Sequence, residues 1–130
     1  MGIILLDKYG ESCLNLIAKM IGNHMRKWFV HDNDGHEIYL TEEQWEHITS
    51  RHGELKNHLE DILNTVRRGK RRQQPQDPQA FVYRLRCDKL RPPFNGILVV
   101  VAFRFESQDN NGNTIPNNFV VSAWGIVMRH

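Results

Sequence analysis

The residues with the clearest chemical potential lie in Trp45-Glu46-His47-Ile48-Thr49-Ser50-Arg51-His52-Gly53-Glu54. Two histidines, an arginine and two carboxylates fall within about three helical turns. Imidazole titrates near neutrality, so it can take and return a proton at physiological pH. Arginine is a planar, permanently charged fork that suits a phosphate. Together these groups can move protons around a phosphate without a metal. Helical spacing puts Trp45, Ile48 and His52 on one stripe and His47, Arg51 and Glu54 on the stripe beside it. Folding needs only the first stripe, so the second is free for function.

Other chemistries find less support. His47 and His52 are five apart, which is not the i, i+4 spacing of paired ligands on a helix. The Asp32-Asn33-Asp34-Gly35 turn lacks the spacing and the closing Glu of a calcium loop. Phosphate loops, nucleophile elbows and dinucleotide fingerprints are missing. His24, His31, His36, His58 and His130 belong to no constellation and are expected to be structural.

The charge is uneven. The 130 residues carry a formal net charge of only +2. Between Thr65 and Arg91, however, Arg67, Arg68, Lys70, Arg71, Arg72, Arg84, Arg86, Lys89 and Arg91 face only Asp77 and Asp88. A focused basic segment on a near-neutral chain suits an anionic partner such as nucleic acid. The alternative is a solvated basic linker. Cys13 and Cys87 are too few for a disulfide framework or a zinc site, and two free thiols fit a reducing cytoplasm. Neither a signal peptide nor a membrane span is apparent.

These residues need elements to hold them. Leu14, Ile17, Met20 or Ile21, and Met25 give a helical stripe over residues 9–25. Lys27 to His31 and His36 to Leu40 read as strands around the Asp32–Gly35 turn. Thr41 with Gln44 forms a capping box for a helix from Glu42, which Gly53 bends or breaks. A second helix to Arg68 buries Leu55, Leu59, Ile62, Leu63 and Val66. Residues 69–79, basic and glutamine-rich with Pro75 and Pro78, read as an exposed loop. Phe81–Arg86, Ile97–Phe105 and Phe119–Val127 read as a three-stranded meander.

Strand alternation gives that meander two faces. Tyr83, Val99, Val101, Phe119, Val121 and Ala123 fall on faces that can meet the helices. Arg84, Arg86, Arg104, Val120, Ser122 and Trp124 fall on the other. The expected fold is a single α+β domain over 1–130, with N-terminal helices and a short β-hairpin packed against a small antiparallel sheet. Residues 1–35 hold a helix and the start of the hairpin, and 36–130 form the core.

The Trp45-x-His47-Ile48-x-x-Arg51-His52 helix, the helix after it and the strand Val120-Val121-Ser122-Ala123-Trp124 resemble one superfamily. It is the barnase, EndoU, colicin and RelE group of metal-independent ribonucleases, in its small phage- and plasmid-associated, toxin-like branch. The resemblance covers about Ile38 to Val127. It implies a nuclease-like core that cuts RNA by attack of the 2′-hydroxyl on the adjacent phosphate, with no cofactor and no metal. It matches the catalytic histidines to His47 and His52, with Arg51 beside them. The strand cation corresponds to Arg84 or Arg86 and the strand hydroxyl to Ser122. Gly53 stands where the group often has proline, and Ser122 where threonine is commoner. Arg67, Arg68, Lys70, Arg71, Arg72, Arg86, Arg104 and Trp124 would bind the nucleic acid. RNA is the implied partner, with an antitoxin or inhibitor protein beside it. A non-catalytic nucleic-acid-binding module and a protein-interaction domain on a degenerate nuclease fold are the competing classes.

Overall fold

A computed structural model describes residues 26–108 and 110–129; the side chains of 106–108 are not included. The expected helix at 9–25 and Cys13 lie outside the described residues. The described residues open on a hairpin, β1 (Lys27–His31) and β2 (Glu37–Thr41), turned by Asp32 to Gly35. Helix α1 (Glu42–Arg51) follows without a break. Thr41 Oγ1 accepts from the Gln44 amide at 3.0 Å, an N-cap bond, while the Gln44 side chain turns to the Val121 carbonyl instead of closing the expected capping box. A 3-10 turn at Gly53–Leu55 separates it from α2 (Leu59–Arg68). Then come β3 (Lys70–Gln74), β4 (Asp77–Arg86), β5 (Gly96–Gln108) and β6 (Thr114–Ile126).

The six strands form one mixed sheet in the order β1-β2-β6-β5-β4-β3. This overturns the expected N-terminal helices on a small antiparallel sheet. Among the described residues the helices lie mid-chain, between the hairpin and the meander. β2 runs parallel to β6 through Ile38 and Tyr39, which fuses the hairpin to the meander. The Tyr39 hydroxyl donates to Asn117 at 2.7 Å, and the Asn118 amide donates to the Glu37 carbonyl at 3.1 Å. These side-chain bonds extend a short ladder.

Residues 69–79 are not a loop. Lys70–Gln73 pair with Phe81–Arg84 as an edge strand. Charged side chains are what edge strands carry, so this one shows no apolar alternation. Pro75 sits in the connecting turn. Pro78 lies just past the point where the register slips between Gln73 and Gln74. Both are positions where a missing amide costs little.

The core lies between the sheet and the helices. Tyr83, Ile97, Val99, Val101, Val120 and Ala123 meet Ile48, Leu55, Ile62, Leu63 and Val66. Each fully buried aliphatic contributes about 1.5–3 kcal/mol. Glu60 and Asp61 in the first turn of α2, and Arg67 and Arg68 in its last, suit the helix dipole. Two expectations for β6 fail together. Val100 pairs with Ser122 but Val101 with Val120, so Val121 is the extra residue of a β-bulge. The bulge turns Val120 into the core and leaves Val121 41% exposed.

Gly69 ends α2 by donating its amide to Thr65 O at 2.7 Å. A Cβ there would lie 2.2 Å from the Thr65 carbonyl oxygen and 2.9 Å from that of Arg84. Both are backbone atoms and cannot rotate away. Gly69→Ala is therefore expected to cost about 1–3 kcal/mol. A urea midpoint equal to wild type would contradict this.

Candidate functional site

β2 stops pairing with β6 after Phe119, so the next stretch of β6 presents an open edge. Helix α1 and the turn after it cover that edge with side chains. Gln44 donates to the Val121 carbonyl. Glu54 Oε2 accepts from the Gly125 amide at 2.9 Å. Gly125 permits this approach, since a Cβ would meet Glu54 Cγ at 2.9 Å and the Phe94 ring at 3.0 Å. His52 closes α1 with its amide on Ile48 O, which brings its ring 5.9 Å from that of Trp124. His52 Nδ1 lies 3.9 Å from Glu54 Oε2.

The same turn carries a second histidine. The Leu55 amide donates to His52 O at 3.0 Å, and the His58 amide to Leu55 O at 2.9 Å. His58 Nδ1 lies 2.9 Å from Asp61 Oδ2. Its side chain is 19% exposed. Lys89 reaches Asp61 Oδ1 at 3.4 Å. A cleft of about 770 Å³ opens here, lined by Glu54, Lys56, His58, Lys89, Arg91 and Phe94 among others. Three cations, an aromatic ring and a carboxylate-oriented imidazole share it. That set can hold an anion and move a proton.

Of the sequence-expected catalytic residues, the structure brings His52 to Trp124, with Ser122 two residues along the same face of β6. His47 and Arg51 are exposed, and neither side chain makes a hydrogen bond or ion pair among the described residues. Arg84 stands opposite Leu98, which stands opposite Trp124, so Arg84 shares that outer face two strands away. Lys70 pairs in register with Arg84. Lys70, Arg71, Arg72, Arg84 and Met128 line a second hollow of about 370 Å³.

The other expected nucleic-acid ligands divide. Arg68 is exposed on α2. Arg67 pairs with Glu60 at 3.3 Å and Arg86 with Asp88 at 3.1 Å. Arg104 donates to Gln79. Arg71 lies opposite Tyr83 on the core side of the sheet. It stacks 4.4 Å from the Phe81 ring and pairs with Asp34 at 3.2 Å.

Sequence reasoning missed His58, Asp61, Lys56, Lys89 and Arg91 as a group. The His58-x-x-Asp61 spacing was the readable signal, because residues three apart meet on a helix. It also missed a buried network under the hairpin turn. Asp32, whose side chain is 2% exposed, accepts from the Tyr83 hydroxyl at 2.6 Å. The amides of Asp34 and His36 donate to its other oxygen at 3.0 and 2.9 Å, and His36 Nδ1 approaches within 3.0 Å. Burial pushes the Asp32 carboxyl up, but the Tyr83 hydroxyl and the His36 amide and ring outweigh it, leaving it below the ordinary carboxylate value. Burial and the Asp32 charge hold the Tyr83 phenol far above its usual value. This network is closed on itself and reads as structural.

Among the described residues no helix is long and apolar enough to cross a membrane. Set against protein-family models, curated proteins and solved structures, the chain matches none of them.

Proposed function

We propose that this chain is a metal-independent endoribonuclease of the barnase, EndoU, colicin and RelE type, with its centre at the cleft beside the Gly53–Leu55 turn. The observation that carries this reading is the His58–Asp61 pair at 2.9 Å in a cleft lined by Lys56, Lys89 and Arg91. Asp61 holds the Nδ1 proton of His58, which leaves Nε2 with the lone pair that takes the 2′-OH proton. His52, on the other side of the turn, returns a proton to the leaving 5′-oxygen. The cations stabilise the extra charge on the phosphorane-like transition state, roughly 10²–10³-fold per well-placed donor. Trp124 and Phe94 offer faces on which bases stack.

The test is cleavage of tRNA, rRNA and mRNA by the purified chain in EDTA. Products ending in a 2′,3′-cyclic phosphate or a 3′-phosphate are expected. Activity that EDTA abolishes and magnesium restores would contradict the mechanism.

One observation favours a second reading, non-catalytic RNA binding. Lys70, Arg72 and Arg84 form a cationic group on the outer face, unpaired among the described residues, with Trp124 across the sheet. RNA retained intact, with steep salt dependence, would select that reading.

A further inference from the structure

Behind the cleft, Cys87 comes to His58 and Asp61. One ligating atom from each of the three lies within 4.8 Å of the other two. Cys87 is 9% exposed, and its amide is fixed on Asn95 O at 2.9 Å. His58 and Asp61 are held three apart at the start of α2, where Thr65 Oγ1 donates to Asp61 O at 2.7 Å. We propose that these three side chains form a zinc-binding site.

The donor set selects the metal. Thiolate with imidazole favours zinc over magnesium or calcium, which take oxygen ligands. Zinc bonds of about 2.0–2.3 Å put neighbouring donors of a tetrahedron roughly 3.3–3.8 Å apart. His58 and Asp61 are already closer than that, at 2.9 Å. Cys87 Sγ, within 4.8 Å of both, needs a side-chain adjustment of at most about an ångström. Lys89 holds Asp61 Oδ1 and leaves Oδ2 turned to His58, the supporting contact a ligating carboxylate needs. One thiolate and one carboxylate neutralise the ion, so the nearby cations oppose it only weakly.

The consequence for activity rests on the ribonuclease reading. An ion on His58 Nδ1 and Asp61 replaces the proton that sets the tautomer and fills the cleft wall. Zinc is thus an inhibitor, and EDTA should raise the rate of protein purified with metal.

Binding is tested without activity. The full chain carrying Cys13→Ser, reduced and metal-free, is titrated with Co²⁺ and then Zn²⁺. One equivalent of Co²⁺ should give a thiolate-to-cobalt charge-transfer band that zinc bleaches. Cys87→Ser should remove the band, and His58→Ala and Asp61→Asn should weaken binding roughly 10–100-fold or more. A featureless titration, or a band that survives Cys87→Ser, overturns the site. Zinc bound at one equivalent by a chain that, when metal-free, leaves RNA intact keeps the site and rejects the ribonuclease reading.

Discussion

Asp32→Ala is expected to cost about 3–5 kcal/mol, the largest loss of any single exchange considered. The change orphans the Tyr83 hydroxyl, which is fully buried, and removes the acceptor for the amides of Asp34 and His36. Against a total of about 5–15 kcal/mol that is a large fraction. The hairpin turn should loosen first, since Asp32 fastens it to β4. Asp32→Asn keeps an acceptor for Tyr83 and should cost less. The pH dependence follows from the sign of the shift. Because the folded carboxyl lies below its unfolded value, its contribution is present above about pH 4 and is lost as pH falls through the folded value. Asp32→Asn should lack that part of the acid limb. Denaturant midpoints from pH 2 to 7 check both points. An Asp32→Ala chain as stable as wild type at pH 7 would show that the network does not hold the hairpin.

His58→Ala is expected to lower cleavage about 10²–10⁴-fold, the usual contribution of a general base. Its stability should fall by about 1.5–3 kcal/mol, since the lost hydrogen bond has a carboxylate acceptor, which Lys89 still holds. His52→Ala should lower both rate and stability, since it also loses contact with Trp124. His47→Ala should melt and cleave like wild type, given an exposed ring without polar contacts among the described residues. Single-turnover rates beside melting curves separate the three. Full activity in both His58→Ala and His52→Ala would remove the cleft from the chemistry.

Local signals were legible where a short-range cause sets the structure. The Asp32–Gly35 turn, the Thr41 cap and the end of α1 near Gly53 follow from nearby residues, and each stands where the sequence places it. Three features were not legible because their causes are distant. β3 is a strand only because β4 supplies its ladder. The Val121 bulge exists in relation to β5, so counting by twos along β6 misplaced Val120 and Val121. The parallel contact between β2 and β6 joins residues about eighty apart. The candidate site divided the same way. His52 was readable from its helix, whereas Lys89 and Arg91 reach the cleft only because the β4–β5 connection folds back over α2.

β3 ends the sheet with one row of backbone groups unpaired among the described residues, and Lys70 and Arg72 point outward beside them. Two copies approaching edge to edge would bring like charges together, so the strand resists the pairing its backbone invites. A polyanion laid along it cancels that repulsion. Under the proposed RNA reading, copies crowded on RNA at low salt would lose the barrier that separates them when free, and added salt would restore single chains by releasing the RNA.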